Sequence, residues 1–354
     1  MTGLTWGLMS ARRIRIAIFA ALLCACTVYA GGQEMIRFMT YNVENFFDTE
    51  DDALTDDDDF LPEAIRHWTV KRYRAKVANV SRVIAAAGGW NPPAVVGLCE
   101  VENDYVMRSL TLYGPLRQLG YEALHYDSPD GRGIDVALLY RPEIFTSVVS
   151  RPLRVETGEG EFSRDILYVM GTLPDGTQLH LFHVHFPSRR EGQQESEPKR
   201  VKAAAVLRGA VDSVFAVDSG AAVVIMGDFN DTPVDRPVAD VLKAMPLPLD
   251  GAYERGALYN LTYVHSERGE GSYCYKGVWQ MLDQVIVSGS MLDGSAPLQA
   301  SPESVGVMRE QWMMERSGEW LDSLPKRTYK GMRYNGGYSD HLPVCFDLKL
   351  SGGQ

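Results

Sequence analysis

The chain has 354 residues, 45% of them hydrophobic and 23% charged, and carries a net charge of −11. That balance excludes a disordered, collagenous or coiled-coil chain and supplies the apolar residues for a large core. It also excludes holding a polyanion through the overall field, so a nucleic-acid ligand would need a local basic patch and cations to offset repulsion.

Residues 1–30 read differently from the rest. Arg12, Arg13 and Arg15 precede the apolar run 16–25, and Val28-Tyr29-Ala30 follows with small residues where a signal peptidase cuts. The run is shorter than the about 20 residues a membrane span needs. A secretory signal is therefore expected over 1–30, and with it an exported chain, periplasmic or secreted. Leu23-Cys24-Ala25-Cys26 resembles a lipoprotein cleavage box, which makes a lipid anchor on Cys26 the alternative. Cleavage would remove three arginines and no acids, taking the net charge from −11 to −14. Cys99, Cys274 and Cys345 would remain, an odd number that excludes a complete disulfide framework.

From residue 31 onward no repeat or linker divides the chain, which predicts one domain over 31–354. A strand is expected over 35–41, ending at Asn42. The segment 48–59 holds eight carboxylates and reads as a solvated loop; it lacks the glycine and the Asp-x-Asp-x-Asp spacing of a calcium loop. Tyr73, Val77, Val80, Ile84 and Ala87 recur at helical spacing, with Gly88-Gly89 as the stop. Further strands are expected over 94–99, 134–140, 166–172, 178–185, 221–227, 282–288 and 342–350, and a helix over 199–217. Leu173-Pro174-Asp175-Gly176-Thr177 is a hairpin signal, which argues against a purely parallel sheet. The prediction is a four-layer α/β sandwich: two mixed, mostly antiparallel sheets flanked by helices.

Polar residues cluster where these apolar strands end, at Asn42 and Glu44, Glu100, His183 and His185, Asp228 and Asn230, and Asp340 and His341; Asp283 lies at a strand start. Hydrolysis of a phosphodiester needs charge neutralisation on the non-bridging oxygens, an activated water in line and help for the departing oxygen. Carboxylates supply hard oxygens for Mg²⁺, an imidazole and a carboxylate can activate water, and asparagine amides can hold phosphate without adding charge. Each ending alone is explained as well by a turn or a cap. Their joint occurrence is what points to chemistry. A zinc site on His183-x-His185 is the sharp reading of that pair, and packing of His183 is the plainer one.

The ordered motifs Tyr-Asn-Val-Glu-Asn (41–45), Leu-Cys-Glu-Val-Glu-Asn (98–103), Arg-Gly-Ile-Asp-Val-Ala (132–137), His-Phe-Pro-Ser-Arg (185–189), Gly-Asp-Phe-Asn-Asp (227–231), Leu-Asp-Gln (282–284) and Ser-Asp-His-Leu-Pro-Val (339–344) resemble the endonuclease/exonuclease/phosphatase superfamily. The resemblance spans residues 35–350. It implies Glu100 as principal metal ligand, with Glu44 and Asp340 near the metal, and Mg²⁺ or Mn²⁺ as the ion. It implies phosphate contacts from Asn42 and Asn230, water activation by Asp228, and His341 on the scissile phosphate, oriented by Asp283. His185 matches the second histidine of the deoxyribonuclease-like and sphingomyelinase-like branches. Glu44 stands where many relatives carry another residue, and Arg132 is a candidate phosphate contact beside an Asp135 that serves equally well as a strand residue.

Late basic residues, including Arg189, Arg190, Lys199, Lys276 and Arg327, interleave with aromatics such as Tyr275 and Tyr338. Lys276 and Tyr338 are accordingly expected to contact substrate. The resulting expectation is a metal-dependent phosphodiesterase acting on nucleic acid or nucleotides, monomeric and without a stable protein partner. A lipid phosphodiesterase, a phosphomonoesterase and a binding module that has lost catalysis are the rivals.

Overall fold

The structure is a computed structural model and describes residues 34–89, 91–316 and 323–350; the expected signal segment, residues 1–30, lies outside them. Strand β1 (Glu34–Phe46) is followed by α1 (Val70–Ala87), β2 (Val95–Val101), α2 (Asp104–Thr111), β3 (Glu122–His125), β4 (Asp135–Tyr140), β5 (Thr146–Leu153), β6 (Ile166–Thr172), β7 (Gln178–His185), α3 (Gln193–Val217) and β8 (Val223–Asp228). Then come β9 (Ala244–Met245), β10 (Leu258–Asn260), β11 (Asp283–Ser288), β12 (Leu298–Ala300), β13 (Gly306–Val307) and β14 (Val344–Leu350).

These strands form two seven-stranded sheets. One runs β12-β14-β1-β2-β4-β3, with β13 also on β14; the other runs β9-β10-β11-β8-β7-β6-β5. Pairs β1/β2, β7/β8 and β9/β10 are parallel and the remaining pairs antiparallel. The α/β sandwich of mixed, mostly antiparallel sheets flanked by helices is the fold of this chain.

Its layers follow from the two-residue period of strand side chains. In β8, Val224 and Met226 enter the core between the sheets, while Val223 and Ile225 pack outward with Ala203, Leu207 and Val211 of α3. On the other side, α1 lays Val77, Val80 and Ile84 onto Met39, Val96 and Leu98. Complete burial of each such aliphatic contributes about 1.5–3 kcal/mol, enough to settle which face of each element turns inward.

Helix α3 starts six residues before its predicted first residue. Pro198 lies inside it, where proline removes an N–H donor. The helix runs through it, and its first turns are fastened by Arg200, whose guanidinium donates to Ser196 Oγ (2.6 Å) and to the Gln193 carbonyl (2.8 Å). The acidic loop is only partly the solvated segment expected: six of its eight carboxylates are exposed, but Asp48 and Asp57 are buried. Beside Asp48 lies Glu102, which accepts the Asp48 N–H at 2.6 Å and whose carboxyl is pushed up to about 8 by burial and by the Asp48 charge. A raised carboxyl stays protonated in the fold while the unfolded chain has already ionised, so stability falls as pH rises from about 4.5 to about 8. Glu102→Gln should therefore stabilise the protein by about 2 kcal/mol or more at pH 8 and by much less at pH 5. Denaturant midpoints at the two pH values check this, and equal midpoint shifts would refute it.

Strand register brings the polar ends level. Asp228 pairs with His185 across β7/β8 and with Asp283 across β8/β11, while Asn42 pairs with Cys99 across β1/β2. Gly227 makes the first pairing feasible: its φ is 142°, and a Cβ there would lie 2.0 Å from the Val184 carbonyl oxygen. Among the described residues no helix is long and apolar enough to cross a membrane.

Candidate active site

A cavity of about 540 Å³ opens at these strand ends, lined by Asn42, Asn45, Glu100, Arg132, His185, Asp228, Asn230, Tyr273, Tyr275, Arg327, Asp340 and His341 among others. Four of the seven non-glycine residues with positive φ among the described residues are Glu44, Asn45, Glu100 and Asn230, all at or behind this cavity. Each such backbone costs about 1–2 kcal/mol, and its concentration here is the pattern of a site held in shape by its surroundings.

Asp228 is the centre. Its Oδ2 accepts from Asn42 Nδ2 at 3.0 Å, a bond that joins the two sheets, and its Oδ1 accepts the Asn230 N–H at 2.8 Å. The same Oδ2 lies 3.7 Å from His185 Nε2 and 3.8 Å from His341 Nε2. Burial pushes the Asp228 carboxyl up to about 6, against the pull of His341. His341 Nδ1 lies 2.6 Å from Asp283 Oδ2; burial resists its protonation, but Asp283 and Asp228 outweigh that and push it up to about 10. His185 goes the other way. Burial, then Arg164 and Arg132, hold it well below the usual imidazole range, and its Nδ1 is buried with no hydrogen-bond partner. At neutral pH one carboxylate thus sits between a charged imidazolium and a neutral imidazole. That arrangement can donate a proton on one side and accept one on the other.

Glu100 ends β2 with one oxygen 2.7 Å from the Asn45 N–H and the other 3.4 Å from Asn42 Nδ2, on the cavity wall. Asp340 lines the same cavity and accepts from Arg327 at 2.8 Å. Glu44 has a different place from the one expected of a ligand: it lies behind the wall, one oxygen on the Thr328 N–H (2.6 Å) and the other facing Arg327 Nε (3.3 Å). Burial and Asp340 push its carboxyl up to about 7. Among the described residues, ligand atoms come within 4.8 Å of one another in two groups, Asp228 with Asp283 and His341, and His125 with Asp127 and Asp135; Glu44, Glu100 and Asp340 form no such group. Mg²⁺ does not require one, since it keeps several waters and is held by one or two carboxylates plus substrate phosphate. Glu100 offers two hard oxygens on a cavity wall that Asp340 also lines, which suits that ion, whereas in the Asp228 group His341 Nδ1 is already committed to Asp283.

The two expected substrate contacts outside this set fall elsewhere. Tyr338 is buried, with its ring against Trp312, its hydroxyl accepting from Arg82 at 3.1 Å and its carbonyl accepting from Lys76; it is a core residue that the sequence places near His341 only by chain proximity. Lys276 does not line the cavity. It sits at the exposed turn of the hairpin Tyr273–Tyr275/Val278–Gln280, with its ammonium 5.1 Å from the Tyr275 ring. His183 packs between the sheets, Nδ1 on the Met226 carbonyl (3.0 Å) and ring over Gly97, where a Cβ would meet it at 2.5 Å; neither metal-type group contains it. Asp135 accepts the Ser128 N–H and is tied to the strand.

Sequence reasoning missed three contributors. Tyr273 forms a bridge to His341, with rings 4.8 Å apart, and Asn45 takes the Arg132 guanidinium at 2.9 Å. Lys76, on the buried face of α1, donates to Thr328 Oγ1 (2.7 Å) and places an amine under Glu44; burial lowers it to about 8 despite that carboxylate. A lysine at an apolar helical position was its only signal.

Residues 37–350 match the model of the Endonuclease/Exonuclease/phosphatase family. The chain belongs to that family. Comparison with curated proteins by sequence gives no match. Among solved structures, the chain resembles a humanized D. rerio TDP2 (TM-score 0.54, 14% identity, 89% of this chain and 98% of that one). It is similar to D. rerio TDP2 complexed with a single-strand DNA product (0.52, 16%, 89% and 99%). It is also similar to a Bacteroides thetaiotaomicron mannosyl-6-phosphatase (0.53, 15%, 88% and 99%). At these identities the likeness concerns the fold.

Proposed function

We propose that this chain is a Mg²⁺- or Mn²⁺-dependent phosphodiesterase that cleaves nucleic-acid or nucleotide diesters. The observation that carries the reading is Asp228 Oδ2 lying 3.7–3.8 Å from a neutral His185 and a charged His341, in the cavity that Glu100 lines. The bound ion would supply charge neutralisation at the phosphate, with Glu100 holding it and Asp340 alongside. Asp228 then positions and deprotonates the attacking water. Asn42 and Asn230 orient the phosphate and the Asp228 carboxylate. His341, kept protonated by Asp283, donates to a phosphate or departing oxygen, and His185 assists at the leaving group. Arg132 adds positive charge to the cavity of an acidic protein, and Tyr273 and Tyr275 offer faces for bases. We also propose export through residues 1–30, with Cys26 as the alternative anchor, and a monomer in solution.

A second reading has its own observation. The hairpin beside the cavity exposes Tyr275 and Val278 (54% and 61%) on either side of an exposed Lys276, a combination of apolar and basic surface that can touch a lipid headgroup layer. One experiment separates the readings: kcat/KM with saturating Mg²⁺ at low salt on a short DNA diester, on sphingomyelin in vesicles and on a sugar phosphate. The DNA diester should be hydrolysed fastest, and EDTA should abolish the reaction. A ratio to sphingomyelin below one would transfer the assignment to lipid diesters; faster release of phosphate from the sugar would transfer it to monoesters.

A further inference from the structure

Next to the catalytic cavity lies a second one of about 480 Å³, and the two share a wall made of Arg132, Ser188 and Arg190. Arg164 lines the second cavity with a side chain 5% exposed. It donates to Asp130 Oδ2 at 3.0 Å and to the Phe186 carbonyl at 2.8 Å, which leaves its Nε buried without an acceptor. Lys199, at the far rim, is satisfied by Glu191 and Glu161 at 3.3 and 3.9 Å. The acids bordering this cavity, Asp130, Glu161 and Glu191, are thereby all spoken for.

On the shared wall neither Arg132 nor Arg190 forms an ion pair among the described residues. Arg132 donates to the neutral amide oxygen of Asn45, and Arg190 makes no ion pair or hydrogen bond among the described residues. Arg132 is lowered from the usual guanidinium range by burial and further by Arg164 and Arg190, with Glu100 and Asp130 offsetting part of that shift. The repulsion that the buried Arg132 meets from Arg164 and Arg190, beside the unsatisfied buried Nε–H of Arg164, would be relieved by an anion with several oxygens. In a chain of net charge −11 such a concentration is not a by-product of composition.

We propose that the second cavity is a subsite for a second phosphate of the substrate, held by Arg190, Arg164 and Arg132 while the scissile phosphate lies between Glu100 and His341. The inference rests on the diesterase reading above. It makes the enzyme selective for molecules with two phosphates, either neighbouring diesters of a strand or a diester beside a terminal monoester.

The test uses the thymidine series TpT, TpTpT and pTpT with Mg²⁺. Wild-type kcat/KM should be about tenfold higher for TpTpT, pTpT or both than for TpT, the scale of one charge-assisted contact. Arg190→Ala should collapse that ratio toward one, and Arg190→Lys should restore part of it. A preference for TpTpT alone assigns the subsite to the next diester, and one for pTpT alone assigns it to a terminal monoester. Equal rates on all three, or a ratio untouched by Arg190→Ala, would overturn the proposal. Binding of TpT and pTpT measured by calorimetry in EDTA decides it independently of turnover. A protein that binds pTpT tighter through Arg190 yet hydrolyses nothing would retain the subsite and lose the diesterase assignment.

Discussion

Asp228→Asn should lower turnover by at least about a hundredfold, the usual scale for removing an acid/base group, with the fold retained by far-ultraviolet circular dichroism. The carboxylate is at the centre of the cleft because β8 carries it there between His185 on β7 and Asp283 on β11. An amide has the same shape but one oxygen fewer. It cannot accept from both Asn42 Nδ2 and the Asn230 N–H, and it has no basic oxygen to offer a water. Asp283→Asn provides the contrast. Asp283 touches His341, not the cavity, so its loss should cost less than removal of His341 by His341→Ala. Steady-state kinetics of the three variants check the order, and a critical Asp283 beside a dispensable His341 would reverse the roles given to them.

The second large effect belongs to Glu100→Gln. The substitution keeps volume and one acceptor for the Asn45 N–H, yet it removes the negative charge that a hard cation needs at the cavity wall. Activity with Mg²⁺ should fall to the level reached by the wild type in EDTA, with the far-ultraviolet circular dichroism unchanged. Calorimetric titration with Mn²⁺ supplies the independent readout: the variant should bind the ion at least about tenfold more weakly. Full activity of Glu100→Gln in EDTA would refute metal dependence itself.

Much of this architecture was legible because strands leave a two-residue signature. Strands predicted over 166–172 and 178–185 have those bounds in the structure, and the polar ends of β7, β8 and β11 follow directly from where each apolar run stops. What escaped was whatever depends on a partner far away in the chain. Tyr338 looked like a cleft residue because His341 is near in sequence, but its surroundings are Arg82, Trp312 and Lys76. Glu44 carried the right chemistry for a metal, and nothing local announces that Thr328 and Arg327 occupy both its oxygens. Tyr273 has no pattern of its own, since a three-residue strand gives no periodicity to read. Short hairpins and buried polar pairs are settled by packing, and packing is a property of the whole chain.

The cleft's last components arrive late in synthesis. Ser339 Oγ donates to the Asn42 carbonyl at 2.6 Å across 297 residues, and the segment that follows it supplies Asp340, His341 and then β14, which slots in beside β1. Until that stretch has left the ribosome, β1 has no partner on one edge, Asp228 lacks its imidazolium and Asp283 its load. Contacts of such long sequence separation form last and slowly. The cleft is therefore incomplete until β14 has paired with β1, and whatever chemistry it supports belongs to the closed fold alone.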